Sequence, residues 1–165
     1  YYSRTGITRK TAEGLAETLR GAGREVTVEE IREKDSRTGI LGYLRAGRDA
    51  IRKKPAEIEP VEADVASFDL VAIGTPVWAW TAATPVRTFC ETKGRDAKAV
   101  AFFATMNSSG DKGAFRAMGE LTGKEPVATM ALLTRHVKND DPERFVAKVE
   151  AFGASLTAAR EEDAE

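Results

Sequence analysis

Three short segments of this chain combine residue types suited to gripping a ligand. The first is Ser3-Arg4-Thr5-Gly6-Ile7-Thr8, with three hydroxyls, a guanidinium and a glycine at the opening of a helical pattern. The first N–H groups of a helix have no partner inside it, and the helix dipole favours an anion there, so the segment suits a phosphate group. Gly6 lets the backbone curl around such a group. The plainer reading is ordinary helix capping by Ser or Thr. Neither G-x-x-x-x-G-K-[ST] nor a G-x-G-x-x-G after a strand occurs, and Gly21-Ala22-Gly23 closes a helix instead. The first five residues recur as Ser36-Arg37-Thr38-Gly39-Ile40, but behind the charged run 32–35 and with Leu41 in the place of Thr8. That second copy reads as a helix cap.

The second segment runs from Gly74 to Pro85 and contains Thr75, Pro76, Val77, Trp78, Ala79 and Trp80. Both tryptophans of the protein lie in it. A loop is a costly place for two large apolar surfaces unless something covers them, and a flat aromatic ligand does so by stacking. Packing on the protein itself or at a subunit interface is the alternative. The third segment, Thr105-Met106-Asn107-Ser108-Ser109-Gly110-Asp111, is small and polar after its first two residues.

These segments need elements to bring them together. Apolar spacing predicts helices at 8–20, 35–54, 85–93, 113–121 and 141–160, the first capped by Thr5 or Thr8. Alternating or wholly apolar runs predict strands at 25–31, 69–74, 97–104 and 126–133. Tyr1 and Tyr2 read as the end of a further strand whose earlier part lies outside this sequence. Strands and helices alternate, which predicts an α/β fold: a doubly wound, parallel five-stranded sheet between two helix layers. Ligands bind such folds beyond the carboxyl ends of the strands, where all three segments fall. The expectation is one domain over 1–165, with 35–54 as an added helix whose basic flank is either a solvated face or a lid or docking surface.

Composition narrows the function. The 165 residues carry 25 Lys and Arg against 26 Asp and Glu, a net charge of -1, which gives no electrostatic case for nucleic-acid binding. One Cys and one His exclude an intrachain disulfide and a Cys- or His-rich metal site. No apolar run approaches the roughly 20 residues of a membrane-spanning helix, and the default expectation is a cytoplasmic protein without membrane partners. Cys90 falls on the apolar face of its helix and reads as core, and His136 reads as a surface or loop-end residue. Asp69 opens its strand, whereas a phosphorylated receiver aspartate stands at a strand's carboxyl end. No acid–base dyad, nucleophile or metal cluster is visible, so no catalytic residue is assigned.

Together, SRTGIT, GTPVWAWTAATP continuing into PVRTF, and the third segment resemble the flavodoxin family, over nearly the whole chain. The resemblance implies FMN as cofactor and the strand order 2-1-3-4-5. It implies that Ser3, Arg4, Thr5, Gly6, Ile7 and Thr8 hold the phosphate. It implies further that Thr75 to Trp80 flank the flavin, with Trp78 or Trp80 against one face. Thr105, Met106, Asn107, Ser108, Ser109 and Gly110 would reach the other edge. Electron transfer to a redox partner protein or a small-molecule acceptor follows from the same resemblance. An NAD(P)H-dependent quinone or flavin reductase and a flavin-free phosphate-binding module are the alternatives. The chain departs from the family in three ways. Trp80 stands where relatives often have Gly, the third segment lacks an aromatic residue, and the charge is near neutral rather than strongly acidic. The first of these puts in doubt the glycine peptide flip that assists one-electron transfer in many members.

Overall fold

Val100–Met106 alternates across the middle of a sheet. Val100 and Phe102 face one apolar cluster, while Ala101 and Phe103 face another. A computed structural model describes residues 1–34, 55–138 and 141–162 of the chain. The helix expected at 35–54 and the repeat at 36–40 lie outside the described residues.

The strands are β1 (Val71–Trp78), β2 (Thr81–Ala82), β3 (Val100–Met106) and β4 (Thr129–Leu133), in the order β2-β1-β3-β4. β3 runs parallel to β1 from Val71↔Val100 to Pro76↔Thr105, and β4 parallel to β3. β2 is an antiparallel hairpin partner of β1. The helices are α1 (Ile7–Gly21), α2 (Thr84–Thr92), α3 (Asp111–Thr122), α4 (Thr134–Val137) and α5 (Pro142–Glu162). α1 buries Thr8, Thr11, Ala12, Leu15 and Ala16, a stripe at helical spacing, against β3, β4 and α5. α2 and α3 cover the opposite face through Val86, Phe89, Ala114 and Met118. The α/β sandwich is therefore as expected, with the short α4 and the hairpin strand β2 as additions.

Among the described residues the sheet has four strands, not five. Residues 25–31 form no strand ladder because the neighbour available to them is two residues long. Tyr2 donates its N–H to Gly74 O at 3.1 Å, while Tyr1 O accepts from Ile31 N at 2.7 Å. Those bonds place Tyr1-Tyr2 between β1 and the 25–31 segment. Beside them, between α1, residues 24–31 and the start of β1, lies a cavity of about 650 Å³. Leu15, Leu19, Val26, Val28, Val71 and Phe103 are among its walls.

Candidate functional site

The parallel β1 and β3 end side by side, and the turn before α1 joins them there. Gly6 caps α1 with φ 83, a left-handed backbone that suits glycine, and makes no side-chain cap bond. Neither Thr5 nor Thr8 caps the helix. Ser3 does the nearest equivalent, its Oγ accepting from Arg9 N–H at 3.1 Å. Thr8 is buried, with its hydroxyl 2.8 Å from that of Thr105. Arg4 and Thr5 are exposed. The N–H groups of Ile7 and Thr8, in the first turn, have no acceptor within the helix.

Thr75 to Trp78 belongs to β1 rather than to a loop. Thr75 is fully buried and its Oγ1 accepts from Ala83 N–H at 2.9 Å, closing the base of the hairpin. Trp78 meets the ring of Tyr2 edge-on at 5.5 Å, and the Arg4 guanidinium stands 6.0 Å from its centroid. Tyr2 donates its hydroxyl to Glu33 Oε1 at 2.7 Å, and burial, ahead of that carboxylate, pushes its pKa up. Trp78 pairs with Thr81, so Ala79 and Trp80 form a two-residue turn with φ 47 and 60. Both left-handed positions of such a turn favour Asn or Gly. Trp80 is 73% exposed.

Thr105 is buried, Met106 O accepts from Thr134 Oγ1 at 3.1 Å, and Asn107, Ser108 and Ser109 are exposed. Gly110 caps α3 with φ 114 and no side-chain bond. It packs under the second segment: a Cβ on Gly110 would lie 2.7 Å from Val77 Cγ1. All three segments thus meet, through Thr8–Thr105, Arg4–Trp78 and Val77–Gly110. Two helices open at this place behind a glycine cap. The first turn of α1 holds no acidic residue and that of α3 holds Asp111, so an anion is better placed at α1. The donor set fits an anionic group there and a flat ring against Pro76–Trp80. The 650 Å³ cavity lies elsewhere and is lined by no residue of the three segments. Convergent donors mark the site better than empty volume does.

Cys90 is core as expected, and burial pushes its thiol up to about 12. His136 is not at the surface. It is buried, its Nε2 faces Arg135 Nε at 3.5 Å, and burial, with Arg144 and Arg135, lowers its pKa. Among the described residues there is no group of three acids, Cys or His able to hold a metal, and no helix long and apolar enough to cross a membrane. Sequence reasoning missed Tyr2 as the support of Trp78 and Gly113 as a close neighbour of Trp80. The Gly110-x-x-Gly113 spacing at a helix start was the available signal for the second.

A family profile described as flavodoxin matches residues 1–149. No curated protein matches the chain. Solved structures do. One is a flavoprotein in complex with FMN from Lactobacillus acidophilus NCFM, at 25% identity and TM-score 0.65, covering 79% of this chain and 89% of that one. Another is a candidate flavoprotein from Bacteroides uniformis ATCC 8492, at 23% and 0.72, covering 89% and 92%. A third, from Bacteroides eggerthii DSM 20697, has 22% and 0.69, covering 92% and 94%.

Proposed function

The chain belongs to the flavodoxin family, and from that premise we propose that it binds FMN without a covalent bond and passes electrons through it. The observation that carries this reading is the convergence of three segments at one sheet end, fastened by the Thr8–Thr105 contact. The ligand of the Lactobacillus relative supports it.

The N–H groups of Ile7 and Thr8 and the hydroxyls of Ser3 and Thr5 receive the phosphate, with Arg4 adding positive charge. Thr8 contributes its backbone N–H, while its buried hydroxyl is bonded to that of Thr105. Pro76, Val77, Trp78, Ala79 and Trp80 flank the ring. Asn107 to Gly110 offer backbone groups to its edge. FMN supplies the redox chemistry, and the protein supplies stacking, hydrogen bonds and exclusion of water. Electrons pass to a redox partner protein or a small acceptor. The exposure of Trp80 at the rim favours, as a second reading, an NAD(P)H-dependent quinone or flavin reductase.

Titration of the purified chain with FMN, followed by tryptophan emission and by the absorbance of the gel-filtered product, tests the reading. One flavin per chain is expected. A product that stays colourless at every FMN ratio rejects it. Rapid reduction of the loaded protein by NADPH in stopped flow would identify a reductase, and its absence a carrier.

A further inference from the structure

Gly113 stands in the first turn of α3, directly under the Ala79-Trp80 turn. A Cβ on Gly113 would overlap the Trp80 carbonyl oxygen and lie 3.3 Å from the carbonyl carbon. A Cβ on Gly110 would lie 3.1 Å from Trp80 Cα and 3.5 Å from its Cδ1. Two glycines one helical turn apart therefore form a flat seat, and the backbone of Trp80 rests on it. The seat explains how a turn without glycine survives. Left-handed backbone costs an ordinary residue roughly 1–2 kcal/mol, and such a conformation persists where its surroundings hold it. Thr75, bonded to Ala83 N–H, holds the other end of the hairpin.

We infer that Gly113 is a positioning residue for the aromatic segment: by lacking a side chain it admits the Trp80 carbonyl and fixes the indole at the rim of the flavin site. This rests on the proposed FMN site, but its geometric half does not. Trp80 is exposed, and both glycines meet it along its backbone.

The test uses Gly113→Ala. Alanine is the better helix former, so α3 itself gains about 1 kcal/mol of intrinsic propensity and loss of that helix is not the expected consequence. Gly21→Ala, in open space at the end of α1, is the control. In a Trp78→Phe background, which leaves Trp80 as the single tryptophan, Gly113→Ala should shift the emission and the quencher accessibility of the flavin-free protein. In the unaltered background it should weaken FMN binding by about tenfold or more, and Gly21→Ala should change neither. Unchanged Trp80 emission together with unchanged FMN affinity overturns the inference. Should Gly113→Ala fail to fold, NMR of the unaltered flavin-free chain decides. A cross-relaxation contact between Gly110 Hα and Trp80 Hα supports the seat, and its absence overturns it. A wild-type chain that binds no FMN would sink the proposed function, while the emission and NMR measurements would still decide the seat.

Discussion

The hydroxyl oxygens of Thr8 and Thr105 lie 2.8 Å apart and both residues are buried, so the first turn of α1 is fastened to the last residues of β3. One hydroxyl donates to the other, and burial keeps solvent from replacing either partner. The bond joins the two ends of the site that sequence separates most.

Thr105→Val should therefore destabilise the chain by about 1–3 kcal/mol, because it leaves the Thr8 hydroxyl buried without its partner. Thr8→Val should act alike, and the double variant should cost less than the sum. A urea-denaturation cycle of the four proteins measures the coupling. Strict additivity would show that the two hydroxyls do not depend on each other.

Gly6→Val should weaken FMN binding strongly, since φ 83 suits glycine and the space around it is open, leaving the backbone as the source of the penalty. The same change at Gly39, in the second copy of the pentapeptide, should leave FMN affinity in place. Paired titrations read both. The reverse ranking would move the phosphate to the other copy.

Gly74→Ala should lower the thermal midpoint. A Cβ there would overlap the ring of Phe103, which faces Gly74 in the β1–β3 register. The ring must leave its place in a packed core, at a cost of about 1–3 kcal/mol. A calorimetric scan unchanged from the parent would show that the ring moves freely.

Stability should fall in alkali through Cys90. Burial raises its folded pKa from 9.0 to about 12, so the folded chain keeps a proton that the unfolded chain gives up. The contribution is complete below about pH 9 and is lost between about pH 9 and about pH 12. Urea midpoints across that range should fall more steeply for the parent than for Cys90→Ala. Parallel curves would remove the thiol from the account.

The cavity beside β1 should accept an added strand. About five Val and Ile residues placed ahead of Tyr1 would bury side chains worth roughly 1.5–3 kcal/mol each. Ordering costs roughly 1–2 kcal/mol per residue of backbone. A net gain of a few kcal/mol is expected, with a Gly-Ser extension as control. Equal denaturation midpoints for the two would mean the cavity is not strand-shaped.

The sequence alone determined much of this protein. The apolar run at 69–74 and the Ala-Val-Ala-Phe-Phe-Ala run gave two sheet strands, and the stripe from Thr8 to Ala16 gave α1, because apolar period is a local property of the chain. The three segments, SRTGIT above all, were legible as a set for the same reason: their residue types sit next to one another. Tertiary structure decided what each hydroxyl does. The hydroxyl of Thr8, read as a phosphate group donor, meets that of Thr105, and the hydroxyl of Thr75, read as flanking the ring, accepts from Ala83 N–H, because partners far along the chain lie beside them. It also decided that residues 25–31 form no ladder, since pairing depends on a neighbour and not on alternation. The left-handed turn at Ala79-Trp80 was hidden as well. Local preference opposes it, and only the packing of Gly110 and Gly113 beneath it makes it stand.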